Sequence, residues 1–316
     1  MKTVLANVSN SFFVRNFLRT DALKILEQNG QTCLVLLAPK AKLPYYRREF
    51  PQSFLTFDSL PVARNSRRER LFKFLETSAI HTRTSYMLTK SQYLYRLGSK
   101  RFLPLRYLDF WERYFLWQLG RIRLWREIIR SIYFLLPNHD FDQLLDQYKP
   151  DLVFLPSMIY PEDYVLAKAA KKCGLKTLGM TLSWDNFYSK TFLLVKPDHL
   201  LVHTDSIIEQ ARRFGDYPRE KVTVTGIPQY DRYFKKDGLF SREDFFKKIG
   251  ADPSKKLILY AFSGKSGLNI EFSVLETLHR AVKSREIKEG VQILLRPYPR
   301  YDFPETRLRE LKDRYG

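Results

Sequence analysis

The chain has 316 residues, of which 44% are apolar and 15% aromatic, a length and composition that predict two folded domains and exclude a disordered chain. Its formal net charge of +20 favours anionic partners such as phosphorylated substrates, nucleic acid or acidic lipid. The sequence contains no apolar run of the ~18 residues that a membrane span needs, no secretory signal pattern at residues 1–10 and no metal-ligand spacing around its two cysteines, so we expect a cytoplasmic protein with reduced thiols.

The first forty residues alternate between strand and helix patterns. Residues 4–8 predict a strand, residues 12–28 predict a helix that stops before Gly30, and residues 33–38 predict a second strand. The near-continuous apolar character of residues 33–38 is typical of a sheet covered on both faces.

Residues 60–135 interrupt this alternation and predict a helical insertion rich in basic and aromatic side chains. Between residues 64 and 130 there are sixteen Lys and Arg against five Asp and Glu, a net +11 that is more than half of the total excess. Two interpretations stay open: a surface that docks on acidic membrane, or helices with a buried aromatic face and solvated arginines.

The alternation resumes after residue 150 and predicts a parallel sheet with right-handed crossovers. Pro161 and the acidic residues after it suit a helix start, and Ser206 with Glu209 has the spacing of a capping box. Predicted strands cover residues 151–156, 176–182, 191–195, 198–203 and 221–225.

We place a domain boundary within residues 226–254, which gives an acceptor-side domain at 1–230 and a second domain at 231–316. The second domain has only two predicted strands, 257–262 and 291–295, whereas a nucleotide-binding sheet usually has five or six. Because the sequence also stops inside a helix-like segment, we expect the second domain to be incomplete.

The most informative polar segment follows the predicted strand 176–182. Ligands of open parallel sheets bind outside the carboxyl ends of the strands, so Asp185 could activate an acceptor hydroxyl, and Lys190 could meet a phosphate. Turns are also rich in Asp and Asn, and a plain turn remains the alternative. Ser183, Trp184 and Asn186 complete this candidate acceptor site.

Three further loops are candidates for binding. After the first strand, Asn10, Ser11 and Arg15 would line the acceptor side. Gly226 allows a tight turn that leads to Asp231, a hinge-like arrangement for which a purely structural role is the alternative. After the last clear strand, two prolines fix a loop in which Arg296 and Tyr298 could hold phosphate, although an exposed basic loop would look the same.

A short run of small residues follows the strand 257–262 and precedes a helix. Backbone N–H groups in such a loop can cradle a diphosphate. The P-loop motif needs a glycine where Leu259 stands, which argues against a P-loop NTPase. An ordinary turn is the alternative. The run consists of Ser263, Gly264, Lys265, Ser266 and Gly267.

The five histidines show neither the spacing of a metal site nor that of a catalytic triad. We therefore expect no metal and no cofactor.

Two stretches carry a family resemblance: RNFLRTDALKILEQNG near the start, and SWDNFYSKT followed by KPDHLLVHTDSIIEQARRFGDYPREKVTVTGIPQYDRYF. In this order they resemble bacterial glycosyltransferase-like proteins of surface-polysaccharide clusters, which are related to CDP-glycerol glycerophosphotransferases and UDP-N-acetylglucosamine 2-epimerases. The likeness covers residues 1–40 and 150–300.

The resemblance implies an α/β protein of the GT-B type, in which two Rossmann-like domains face each other across a cleft. It implies acceptor binding by the first domain and binding of a nucleotide-sugar donor by the second, through Gly226, Asp231, the loop 263–266 and the loop 296–299. Tyr298 stands where relatives often carry His, and the epimerase His-Arg-Arg loop is replaced at Ser263; both departures count against an epimerase.

The function predicted from the sequence is sugar transfer from a nucleotide-sugar to a surface-polysaccharide or lipid-linked acceptor, without a metal. We expect a cytoplasmic enzyme, with peripheral attachment to the inner face of the membrane through residues 64–130. The alternatives are a CDP-glycerol-type polyol-phosphate transferase and a non-catalytic protein that binds a nucleotide-sugar or nucleic acid. No nucleic-acid partner is expected, because no nucleic-acid-binding motif is found.

Overall fold

The computed structural model describes residues 1–8, 11–61, 67–97, 105–236, 238–262, 268–287 and 290–298, together with Thr306, Arg309, Glu310 and Asp313. The chain divides into two compact units, Met1–Phe234 and Lys235–Gly316. Within the described segments, no helix combines the length and the apolar character needed to cross a bilayer.

The first unit is built on a seven-stranded sheet in which every described strand pair is parallel, in the order β3-β2-β1-β4-β5-β6-β7. This confirms the predicted α/β class with a parallel sheet. The chain order reverses between β1 and β4, where Val4 pairs with Leu152. The strands are β1 (Lys2–Asn7), β2 (Thr32–Ala38), β3 (Leu55–Ser59), β4 (Leu152–Leu155), β5 (Lys176–Met180), β6 (His199–Val202) and β7 (Val222–Val224).

Helices cover both faces of this sheet. Single turns of π-helix occupy Val14–Leu18 and Asn186–Lys190. The α-helices are α1 (Ser11–Phe13), α2 (Asp21–Asn29), α3 (Leu43–Glu49), α4 (Arg67–Ser78), α5 (Arg83–Leu97), α6 (Leu105–Leu119), α7 (Arg123–Leu135), α8 (Asp142–Tyr148), α9 (Pro161–Lys172), α10 (Asp205–Gly215) and α11 (Asp231–Lys235), the last of which crosses the boundary between the units.

The core has two halves because alternate residues of a strand point to opposite faces. Leu5, Leu37 and Val153 join one half, which is closed by α4, α7, α9 and α10. Leu36 and Phe154 join the other, which is closed by α1 to α3. The predicted two-sided burial of the second strand follows from this arrangement.

The helix predicted at residues 12–28 is interrupted. The π-turn ends at Leu18, and α2 starts afresh after Thr20, whose side-chain oxygen accepts a hydrogen bond from the N–H of Ala22 at 3.3 Å. The predicted end is confirmed, since Gly30 adopts a left-handed φ of 64°, a conformation that favours glycine.

The strand predicted at residues 191–195 is wrong. Leu193 has a φ of 64°, which no extended strand accommodates. Its carbonyl accepts a hydrogen bond from Nε of Arg130 at 3.0 Å, and the N–H of Leu194 donates to Oε1 of Glu76 at 3.1 Å. Side chains of the helical insertion thus form the hydrogen bonds with these backbone groups that a neighbouring strand would otherwise form.

The capping box predicted at Ser206 and Glu209 is also wrong. Helix α10 begins at Asp205, so its N-cap is Thr204, two residues before Ser206, and the side chain of Thr204 makes no capping hydrogen bond. Glu209 instead pairs with Arg212 at 2.6 Å on the exposed face of the helix.

The helical insertion is confirmed as helical and forms α4 to α7. Apolar side chains recur near helical spacing between residues 111 and 136, but the chain turns between α6 and α7 at Gly120. A Cβ atom at Gly120 would lie 1.9 Å from the carbonyl oxygen of Ala79. Only glycine allows this close approach of two backbones.

The described segments of the second unit contain two parallel strands, β8 (Lys256–Ala261) and β9 (Val291–Arg296), and both were predicted. Helix α12 (Arg242–Ile249) is capped by Ser241, whose Oγ accepts from the N–H of Asp244 at 3.0 Å. Helix α13 (Leu268–Lys283) contributes Leu275 to a small core.

Candidate functional site

The candidate site is the carboxyl edge of the seven-stranded sheet. In open parallel sheets, ligands bind where the strand order reverses, and here that point lies between β1 and β4. Residues that follow β4 and β5 adjoin this point, and a buried polar network holds them in place.

Asp163, in the first turn of α9, is the centre of that network. Its Oδ1 accepts a hydrogen bond from Nδ2 of Asn7, the last residue of β1, at 2.8 Å. Its Oδ2 accepts from the N–H groups of Ser157 and Met158, each at 3.1 Å, and from the hydroxyl of Ser157. One carboxylate therefore ties the ends of β1 and β4 together across the reversal of strand order.

The side chain of Asp163 is completely buried. Burial raises the pKa of this carboxyl from 3.8 to about 6, although the hydrogen bonds from Ser157 and Asn7 favour its ionised form. A buried titratable group at this edge is typical of functional sites and of structural networks alike.

Asn186 extends the network to the loop after β5. Its Nδ2 donates to the carbonyl of Ser157 at 3.2 Å, and its Oδ1 accepts from the N–H of Ser183 at 3.1 Å. Asn186 is buried, so its predicted role in contacting a sugar is replaced by a role in shaping the loop.

The loop at residues 183–190 brings together five of the predicted acceptor-site residues. Lys190 and Asp185 form an ion pair in which Nζ lies 2.9 Å from Oδ2. The other oxygen of Asp185 has no hydrogen-bond partner within the part of the chain that the structure describes. Trp184 is 69% exposed. The loop therefore presents a carboxylate, a cation and an indole at one place.

The helical insertion supports this loop from beneath. Nζ of Lys73 donates to the carbonyl of Lys190 at 2.9 Å, and the hydroxyl of Thr82 donates to the carbonyl of Tyr188 at 2.5 Å. In the π-turn of residues 186–190, the carbonyls of Tyr188 and Lys190 therefore accept hydrogen bonds from side chains of the helical insertion. Such turns often occur at functional sites.

Two polar side chains beside the loop were not predicted from the sequence. His203 directly follows β6 and is 5% exposed. Neither of its ring nitrogens has a hydrogen-bond partner among the described residues, and burial lowers its pKa. Thr181 directly follows β5, and its buried hydroxyl is likewise unpaired within the described segments. The feature of the sequence that could have identified these two residues is their position at the ends of predicted strands.

The other predicted residues of the first unit lie apart from this loop. Ser11 opens α1, and the guanidinium of the exposed Arg15 lies 4.7 Å from the ring centre of Phe12. Gly226 follows β7 with a φ of 75°, and Asp231 opens α11. Asn10 lies outside the described residues.

The chain after β7 returns along the carboxyl edge. Its turn at Pro228–Tyr230 packs against the π-turn Val14–Leu18, which follows β1. The segments that carry Gly226 and Arg15 therefore approach each other, although their strands are separated by three others.

Apart from Gly226 and Asp231, the predicted donor-side residues belong to the second unit. Arg296 ends β9 with an exposed side chain, and Tyr298 follows it. The loop of Ser263, Gly264, Lys265 and Ser266 lies outside the described residues. No group of three or more His, Cys, Asp or Glu side chains in the described part of the chain is arranged to hold a metal ion.

No family model matches the sequence. The processive diacylglycerol beta-glucosyltransferase of Bacillus licheniformis is 25% identical over 234 residues, which cover 72% of this chain and 54% of that protein. The chain thus spans about half the length of the curated relative that it matches.

Among solved structures, the putative UDP-N-acetylglucosamine 2-epimerase from Listeria monocytogenes superposes with a TM-score of 0.52 at 12% identity and covers 100% of this chain and 67% of that one. The fold is GT-B-like. The UDP-N-acetylglucosamine 2-epimerase from Rickettsia bellii gives a TM-score of 0.49 at 15% identity and covers 99% of this chain and 67% of that one.

Proposed function

We propose that this chain is a glycosyltransferase that moves a sugar from a nucleotide-sugar donor to a lipid-linked or surface-polysaccharide acceptor. The observation that carries the proposal is the loop at residues 183–190, which presents Asp185 at the ligand-binding edge of a GT-B-like sheet. The likeness to a diacylglycerol glucosyltransferase supports a lipid-linked acceptor.

In this proposal Asp185 accepts the proton of the acceptor hydroxyl. Its Oδ1 is buried and has no partner among the described residues, so we assign the proton to Oδ2, the oxygen that lies beside Nζ of Lys190. The exposed ring of Trp184 suits the apolar face of a sugar or lipid. Ser183 and Asn186 fix the loop, and Asn10, Ser11 and Arg15 contribute to the acceptor side.

Donor binding is assigned to the second unit and to the turn after β7. The main electrostatic demand of sugar transfer is the negative charge that develops on the leaving diphosphate. We assign its stabilisation to Lys265 and Arg296 without a metal ion. The backbone of the loop 263–266 and the side chains of Asp231 and Tyr298 complete the donor site, with Gly226 as the turn that leads to it.

The helical insertion is assigned to docking on an acidic membrane. Arginines and lysines attract anionic lipid while apolar side chains enter the interface. Arg126 and Arg130 make no contribution, because both are buried. The exposed apolar side chains of α5 to α7 include Met87, Leu88, Leu94, Leu108, Trp111, Phe115, Leu124, Ile128 and Ile132.

The test is a transfer assay with labelled UDP-glucose, UDP-N-acetylglucosamine and CDP-glycerol, using diacylglycerol in anionic vesicles as acceptor. We expect transfer from a UDP-sugar, and a kcat at least about 100-fold lower for Asp185→Asn. Asp205→Asn, an exposed aspartate that follows β6, should leave kcat unchanged.

Other outcomes contradict specific parts of the proposal. Transfer from CDP-glycerol alone would identify a polyol-phosphate transferase. Absence of transfer from every donor, together with salt-sensitive RNA binding, would identify a binding protein instead. Transfer with equal rates for Asp185→Asn and the unchanged chain would refute the role of Asp185.

A further inference from the structure

A cleft of about 380 Å³ lies where the helical insertion meets α10. It is lined by His81, Arg121, Arg126, Arg213 and Phe214. Three of these five side chains are arginines and none is acidic. Three like charges around one cleft repel one another unless an anion neutralises them.

Four separate segments build this cleft. His81 lies in the turn between α4 and α5, and Arg121 lies in the turn between α6 and α7. Arg126 comes from the first turns of α7, while Arg213 comes from the last turn of α10. Residues far apart in the sequence thus meet at one place.

Arg126 forms the floor of the cleft. It is 7% exposed, and its guanidinium donates to the two oxygens of Asp216 at 2.8 Å and 2.5 Å. Its charge is therefore largely neutralised, and its orientation is fixed.

The charges of Arg121 and Arg213 are not neutralised in this way. Both side chains are exposed, and neither forms an ion pair with a carboxylate of the described residues. Nδ1 of His81 lies 2.9 Å from the carbonyl of Trp117 and must donate to it.

We propose that this cleft binds a phosphate group. Guanidinium groups match the geometry of phosphate oxygens and bind them with two hydrogen bonds each. Arg121 and Arg213 would bind the phosphate beside the fixed Arg126. The cleft adjoins the loop at residues 183–190, because the ring of Phe214 lies 5.6 Å from that of Tyr188, but phosphate binding there does not depend on the proposed sugar transfer.

The phosphate has two candidate sources, a lipid headgroup and a free phosphorylated compound. Ile122 and Leu124 flank the turn that carries Arg121 and are 52% and 68% exposed. Apolar side chains beside a cationic cleft suit a phospholipid headgroup at a membrane surface. A free phosphate compound needs only the guanidinium groups.

The test compares two double variants with the same loss of charge. Arg121→Gln with Arg213→Gln removes the two unneutralised arginines of the cleft. The control, Arg123→Gln with Arg212→Gln, removes their exposed neighbours, which do not line it. Pyrophosphate binding is measured by calorimetry, and phospholipid binding by sedimentation with phosphatidylcholine vesicles that contain or lack phosphatidic acid.

We expect the cleft variant to bind at least one probe about tenfold more weakly than the unchanged chain, and the control to change by less than about twofold. Loss with pyrophosphate identifies a free phosphate compound, and loss confined to phosphatidic acid vesicles identifies a lipid headgroup. Equal losses for the two double variants would overturn the proposal, since they would reflect general attraction. Failure of the unchanged chain to bind either probe would also overturn it.

Discussion

Replacing Asp216 by Asn should strongly destabilise the first unit. Asp216 follows α10 with a φ of 52°, a conformation that Asn tolerates as well as Asp. The substitution therefore removes the charge without straining the backbone. The substitution weakens the interaction by which Asp216 anchors the helical insertion to the sheet.

The magnitude follows from the hydrogen bonds that Asp216 accepts. Arg126 donates two, at 2.8 Å and 2.5 Å, and Arg130 donates one at 2.9 Å. Both arginines are 7% exposed. Breaking a buried ion pair by removing one partner costs about 3–5 kcal/mol, because the remaining charge stays buried. Arg130 retains Glu127 and three backbone carbonyls, so we expect a loss of about 3 kcal/mol.

The assay is urea unfolding followed by tryptophan fluorescence. All four tryptophans, Trp111, Trp117, Trp125 and Trp184, lie in the first unit, so the signal reports that unit alone. The matched control is Glu209→Gln, which breaks an exposed ion pair on the same helix. Exposed pairs contribute little, and the control should barely move the midpoint.

The pH dependence provides a second criterion. Burial by itself would raise the pKa of Asp216, but the hydrogen bonds and charges of Arg126 and Arg130 outweigh it and hold the pKa below 3.8. A depressed pKa in the folded state stabilises the protein above the ordinary pKa and loses that effect in acid. The difference between the unchanged chain and Asp216→Asn should therefore shrink below about pH 4. Equal midpoints for Asp216→Asn and Glu209→Gln at neutral pH would refute the reasoning.

Three further predictions concern other parts of the first unit. Gly120→Ala should lower the unfolding free energy by about 3 kcal/mol, because its Cβ would overlap the carbonyl of Ala79; the same urea assay measures this. Asn186→Ala should cost about 2 kcal/mol and reduce transfer activity, since it leaves the buried carbonyl of Ser157 unpaired. The carboxyl of Asp163 has a pKa of about 6 in the folded chain, so as the pH falls the folded chain binds this proton at a higher pH than the unfolded chain. Its contribution to stability therefore grows as the pH falls from about 6 to about 4. The midpoint difference between the unchanged chain and Asp163→Asn should be larger at pH 4.5 than at pH 7.

The strands of the first unit could be predicted where they are buried on both faces. The apolar runs within β1, β2 and β4 are continuous, and such runs predict central parallel strands. Strand β3 was not predicted, because LTFDS is short and mixed in character and lies at the edge of the sheet. The strand prediction at residues 191–195 was wrong although this run is apolar. Its apolar side chains are buried because they pack under the helical insertion, not because they belong to a strand.

The candidate site was predictable only in part. The loop at residues 183–190 was found because it follows a strand, and this placement requires no knowledge of distant residues. The bond between Asn7 and Asp163 joins residues 156 positions apart, and no local pattern indicates it. The sequence therefore identified Asp163 only as an acidic residue in a first helical turn.

The charge of the helical insertion shows most clearly why composition alone misleads. A solvated arginine and an arginine that fixes a fold look alike in sequence, and both Arg126 and Arg130 proved to be of the second kind. Lys73 of helix α4 and Thr82 of the turn that follows it donate to the carbonyls of Lys190 and Tyr188. Since those carbonyls belong to the turn that follows Asp185, a change in the packing of the insertion must alter the support of the candidate catalytic loop. The helical insertion is thus part of the site's framework as well as its most basic surface.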